Sequence, residues 1–101
     1  MWKVSKNKVP DNKRFSNLVT DWDVCYLCRG LATEKHEVYN GAGFRDTSKR
    51  YGLVVPLCSD CHRKVHRNID VRKGLKAKVQ VIFEKEFSHE EYMRLFKKNY
   101  V

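Results

Sequence analysis

"CSDCHRKVH", residues 58–66, places two cysteines and two histidines within nine positions. Whether these four side chains hold one metal ion or serve two sites decides the fold, because each answer ties the stretch to a different partner. The cysteines find theirs in "CYLC", residues 25–28. Cys25-x-x-Cys28 and Cys58-x-x-Cys61 are each spaced so that one tight turn aims two thiolates at a single ion. Two such knuckles complete a tetrahedral four-thiolate site, a set that favours Zn²⁺. The other readings of this spacing are disulfides, reduced core cysteines, or three cysteines joined by His62. A closed shell of four thiolates leaves no open position, so a zinc there clamps the chain and does not activate water.

With the cysteines satisfied, His62 and His66 are left over. They are four apart on a predicted helix and share one face. His36 lies in the short predicted strand "EKHEVY", residues 34–39, just beyond the first knuckle. The clamp that joins Cys28 to Cys61 also brings that strand to the helix. His36, His62 and His66 then offer an open site for Mg²⁺, Mn²⁺ or Zn²⁺, with positions left for water and a phosphate oxygen. Glu37, next to His36, is a candidate proton acceptor. An isolated pair of histidines at this spacing is usually a solvent-exposed pair. Its place directly after a metal knuckle gives it weight here.

The chain has 101 residues, room for one modest core of a size that gains from a metal staple. Lys and Arg number 21 against 12 Asp and Glu, a net charge of +9, which suits a polyanionic partner, DNA foremost. No apolar run approaches bilayer length, so no membrane partner is expected. The N-terminus is basic but has no apolar core of a secretory signal. The expected compartment is the reducing cytoplasm, where thiols bind metal more readily than they form disulfides.

The predicted fold class is α+β. Residues 1–20 read as a basic N-terminal arm and 21–101 as the domain, with a strand–strand–helix metal core over 21–68 and supporting helices over 69–101. "NGAGFRDTSKR", residues 40–50, reads as a loop, with two glycines among polar residues. "YGLVVPLC", residues 51–58, gives the second strand. Ser59 is the expected N-cap of the helix that follows, with Asp60 in its first turn. Val71, Leu75, Val79, Ile82 and Phe83 recur at helical spacing between Asp70 and about Glu86. "SHEE", residues 88–91, is a capping box for a last helix with Met93, Leu95 and Phe96 inward.

The combined pattern "CYLC…KHEVY…LVVPLCSDCHRKVH" resembles the HNH (ββα-metal) endonucleases. It is most similar to the small members encoded by phages and prophages of Gram-positive bacteria, in their four-cysteine zinc-knuckle form. The similarity spans roughly residues 22–101 and includes the ending "SHEEYMRLFKKNYV". It implies a metal-dependent DNA endonuclease or nickase of low sequence specificity, working in a host cytoplasm, with phage DNA-processing proteins as a further class of partner. By position, His62 and His66 match the helix-borne ligands of the family's metal. His36 falls where many members carry the strand-borne Asp or His ligand, and Glu37 where they carry the general-base histidine. A register shift of one residue would instead make His36 the base, with Glu37 or Glu34 beside the metal. "YGLVVPLC" has no Asn where the family often has one, and Asn40 is the nearest substitute. Arg45, Ser48 and Lys49 between the strands are candidates for phosphate contact, as are Arg63, Lys64 and Arg67 on the helix. The rival expectation is a non-catalytic zinc-stapled module that binds nucleic acid or protein through a degenerate HNH-like site.

Overall fold

The computed structural model describes residues 2–41 and 43–101. Strand β1 (Glu34–Glu37) pairs antiparallel with β2 (Val54–Leu57), in a register that sets His36 opposite Val55 and Lys35 opposite Pro56. A helix, α1 (Phe44–Arg50), connects the two strands. Helix α2 (Ser59–Arg67) follows β2 after a single residue and packs on both strands. Helices α3 (Ile69–Glu86) and α4 (His89–Phe96) complete the domain. The result is a small α+β protein with a two-stranded sheet and, among the described residues, four helices. No helix among these residues is long and apolar enough to cross a membrane.

The core gathers where the sheet meets α2, α3 and α4. Leu53, Val55, Leu57, Val65, Val79 and Phe83 are almost wholly removed from solvent, each such side chain contributing about 1.5–3 kcal/mol of burial. The helical spacing of α3 holds as expected, with Leu75, Val79 and Phe83 buried. Asn68 caps this helix, its side-chain oxygen accepting from the N–H groups of Asp70 and Val71. Ser88 caps α4 by accepting from the Glu91 N–H. The most deeply buried residue of α4 is Tyr92, with Phe96 beside it, whereas Met93 and Leu95 are only partly covered.

Two expectations from the sequence are corrected. Residues 44–50 are helical rather than loop. The glycines explain the misreading: Gly41 and Gly43 both have positive φ and bend the chain before the helix begins. After Gly43 no residue breaks a helix. Asp46 stands in the first turn and Lys49 and Arg50 in the last, as the helix dipole favours. Ser48 then docks α1, accepting from the Tyr39 N–H at 3.0 Å and donating to its carbonyl at 2.6 Å. The second correction concerns the cap of α2, which is Cys58 and not Ser59. Its sulfur accepts from the Cys61 N–H at 3.4 Å.

The segment read as a basic arm lies against the domain. Ser5 N–H donates to Arg50 O at 2.8 Å, and Asn17 N–H to Gly52 O at 2.8 Å. The Asn17 side-chain amide donates to Tyr51 O and Lys3 O. Val9 is buried, and Trp2 packs edge-on against Phe83 and Phe87. Gly52, at φ 66°, is obligatory at this seam: a Cβ there would come within 2.8 Å of Phe15 and Asn17.

Candidate metal centres

The first knuckle is a tight turn closed by its own backbone. Cys25 N–H donates to Gly30 O at 2.7 Å and Arg29 N–H to Cys25 O at 3.0 Å, while Val24 and Leu31 bridge across its base. The second knuckle is the start of α2. In each, a backbone N–H points at a ligand sulfur: Gly30 at Cys28 and Cys61 at Cys58, both at 3.4 Å. The two knuckles face one another, with the sulfurs of Cys25, Cys28, Cys58 and Cys61 all within 4.8 Å. Cys28 and Cys58 have their sulfurs 3.7 Å apart. A tetrahedral thiolate site with bonds of ~2.3 Å has an edge of about 3.8 Å, whereas a disulfide needs ~2.05 Å. The separation fits a shared ion and not a bridge, so these four residues lie close enough to hold a metal ion.

The electrostatics favour the same conclusion. Burial raises the Cys25 pKa, but the N–H groups of Cys28, Cys58 and Leu27 outweigh it and bring the thiol down to about 6. Burial, with the thiols of Cys58, Cys25 and Cys28 alongside, pushes Cys61 up to about 12. Cys25 thus ionises readily and Cys61 resists, and a cation would favour the thiolate at both.

The second cluster is assembled by strand parity and helix pitch. Along β1, residues two apart share a face, so Glu34 and His36 project to one side and Lys35 and Glu37 to the other. His62 and His66 on α2 meet the Glu34–His36 side. The ring centres of His36 lie 5.1 Å from His62 and 5.5 Å from His66, and those of His62 and His66 are 4.8 Å apart. Each ring offers a nitrogen within 4.8 Å of the others. His62 Nδ1 donates to the Glu34 carboxylate at 2.5 Å, which leaves the lone pair on Nε2. That nitrogen lies 3.1 Å from His66 Nε2. A carboxylate behind an imidazole is the usual outer support of a metal-binding histidine. His36 is buried, and its Nε2 has no hydrogen-bond partner, an arrangement that costs free energy unless a ligand completes it. Burial, then His62, His66 and Lys76, lower the His36 pKa to about 3, so the ring is neutral, as a metal ligand must be.

Glu37 is not brought to this cluster. Its carboxylate, on the opposite face of β1, accepts from Arg14 Nη1 at 2.6 Å and Arg45 Nε at 2.7 Å. Both oxygens are therefore engaged, and Glu37 anchors the N-terminal segment and α1 to the sheet. Arg45 also reaches Asp11, at 2.8 Å. Lys49, only 5 % exposed, donates to the same Asp11 oxygen at 3.0 Å, and Ser48 is fully buried. Arg63, Lys64 and Arg67 are exposed on α2. A cleft of about 320 Å³ runs beside the histidines, lined by Glu34, Ser59, His62, Arg63, His66 and Arg67. Arg63 also pairs with Asp60. Asn40 is exposed in the turn after β1.

The alternation of side chains on β1 was the available signal that Glu34, and not Glu37, accompanies His36. No local pattern marks Arg14 as a partner of Glu37, because 23 positions separate them. Compared with protein-family models, with curated proteins and with solved structures, the chain matches none.

Proposed function

We propose that this chain is a zinc-stapled, metal-dependent DNA endonuclease or nickase of HNH type with little sequence preference. The observation that carries the reading is the pairing of two unlike ligand sets: four cysteines, enough for a closed shell, and three imidazoles, two of which line a cleft with Arg63 and Arg67. In this reading Cys25, Cys28, Cys58 and Cys61 hold Zn²⁺ as a structural clamp. His36, His62 and His66 hold a second divalent ion, Mg²⁺, Mn²⁺ or Zn²⁺. That ion, when bound, supplies Lewis acidity toward the scissile phosphate and the leaving oxygen.

The chain's own groups do the rest. Glu34 fixes the tautomer and orientation of His62. Arg63, Lys64 and Arg67 on the exposed face of α2 contact the DNA backbone without reading bases, so affinity falls steeply with salt. His36 is the residue on which the chemistry depends, as a ligand in one register and as the base that accepts the water proton in the other. With Glu37 locked between two arginines, the acids and bases lining the cleft are Glu34, His62 and His66, with His36 buried behind them.

That locked Glu37 also favours the second reading, a non-catalytic zinc-stapled module that binds nucleic acid or protein. One experiment separates the two. Supercoiled plasmid is incubated with Mg²⁺ or Mn²⁺ and wild type, His36→Ala or His66→Ala protein, each retaining its thiolate-bound zinc. Nicking that falls to background in both variants supports the nuclease. Wild-type protein that cuts no faster than the variants leaves the binding module.

A further inference from the structure

The cleft beside the histidines has a neighbour. A second cleft of about 690 Å³ is lined by Asp60, Arg63, Lys64, Arg67, Asn68 and Ile69. Arg63 and Arg67 line both, so the two clefts share a wall. These arginines are four apart on α2 and stand one above the other on the same helix face, about 5.4 Å apart along the axis. Arg63 pairs with Asp60, while Lys64 and Arg67 have no ion-pair partner among the described residues.

One wall of the second cleft is apolar. Ile69 is 52 % exposed. A solitary apolar side chain on a surface is ordinary, but this one stands at a fixed corner of a cationic cleft. Asn68 has extended backbone, with φ −108° and ψ 112°, and so separates α2 from α3. Its side-chain oxygen accepts from the N–H groups of Asp70 at 3.0 Å and Val71 at 3.2 Å, which secures the first turn of α3. From that helix Arg72 Nη1 donates back to His66 O at 3.0 Å. The corner that carries Ile69 is thereby tied to the helix that carries His62 and His66.

Cations set beside an exposed apolar side chain suit a ligand that joins negative charge to a flat apolar face, and a nucleotide is such a ligand. We propose that the second cleft receives the base of a nucleotide next to the phosphate at the histidine cleft. Arg63 and Arg67 meet the phosphodiester backbone between the two, and the base rests on Ile69. The inference rests on reading the histidine cluster as a phosphodiester-cleaving site, and it adds the form of DNA that such a site takes. A base reaches Ile69 by leaving its stack, and extrusion costs least where the base is mismatched or single-stranded. An apolar side chain set against a base step is a recurrent way to hold such an opening. The chain then selects DNA by local looseness of the duplex and not by base sequence.

The test uses full-length, zinc-loaded protein and two duplexes that differ at one position. In one, 2-aminopurine, whose emission rises on unstacking, lies opposite thymine; in the other it lies opposite adenine, as a mismatch. Binding is measured without added Mg²⁺ or Mn²⁺, and nicking of the same duplexes with them. Wild type is expected to bind the mismatched duplex about tenfold more tightly, with a rise in emission. Ile69→Ala should bring the preference within twofold and remove the rise, while its affinity for the paired duplex changes less than twofold. Ile69→Met, which restores an apolar contact, should recover most of both. Arg67→Met should weaken both duplexes alike. Melting curves check the fold of each variant. Equal binding of the two duplexes by wild type, or a preference and an emission rise that survive Ile69→Ala, overturns the proposal. A preference that depends on Ile69 in a protein that nicks neither duplex keeps the base cleft and removes the nuclease. Nicking without any preference for the mismatch does the reverse, and failure to bind either duplex removes both.

Discussion

The four cysteines and the three histidines meet at the same helix, yet they are built on opposite plans. The cysteines come from two tight turns whose N–H groups already point at sulfur, and four thiolates are a complete tetrahedral ligand set. The histidines come from a strand and a helix face, and their exposure is graded: His36 buried, His62 half-buried, His66 exposed. A carboxylate supports one of them from behind, and a cleft lies before them. A complete ligand set suits an ion that stays in place, and a set of three leaves positions at which an ion can meet other ligands. The difference teaches that a cluster's chemistry is set by the coordination positions its own ligands leave free, and not by how deeply those ligands are buried.

The comparison breaks first if the cysteine cluster is dispensable. Chelation, or Cys25→Ser, should abolish the cooperative thermal transition, because metal affinities of this class, about 10–16 kcal/mol, are largely folding free energy. A chelated protein that melts at its original temperature would show that the clamp is not structural. A smaller effect tests the far face of β1. Glu37→Gln should cost about 2–4 kcal/mol of stability, chiefly by leaving Arg14 without its carboxylate while Arg45 keeps Asp11, read from denaturant midpoints. Metal content at both clusters should be unchanged, and a loss of metal from the histidines would mean that Glu37 belongs to them after all. The smallest effect sharpens the histidine side. Glu34→Gln should weaken the second ion by about 10–100-fold while the thiolate-bound ion stays, as measured by metal retained after dialysis. Equal loss at both clusters would erase the distinction.

Much of this arrangement was legible because it depends on short-range regularities. The two cysteine pairs, the cap at Ser88 and the apolar repeat of α3 each fit within a few turns of chain, and the structure forms them, although the Glu91 carboxylate of the expected capping box turns to Arg94. The histidine pair on α2 followed from helical pitch alone. What escaped the sequence depended on contacts made across the fold. Helix α1 carries few apolar residues, so periodicity is silent, and its stability comes from Ser48 binding Tyr39 nine positions earlier. The N-terminal segment looked like an arm because its partners, the backbone of residues 50–52 and the Glu37 carboxylate, lie far along the chain. The role of Glu37 was misjudged for a simpler reason. Adjacency in sequence is not adjacency in a strand, where neighbours point apart.

Cys58 belongs both to the thiolate cluster and to the N-terminus of α2, where its sulfur accepts the Cys61 N–H. One atom thus links the thiolate cluster at one end of the helix to the two imidazoles along its side. Two centres so joined would not fill in an arbitrary order: an ion held by the thiolates would secure the helix on which the second set of ligands becomes a set at all. Depriving the chain of the first ion is therefore expected to cost it the second as well, so the two centres would be lost together and not one by one.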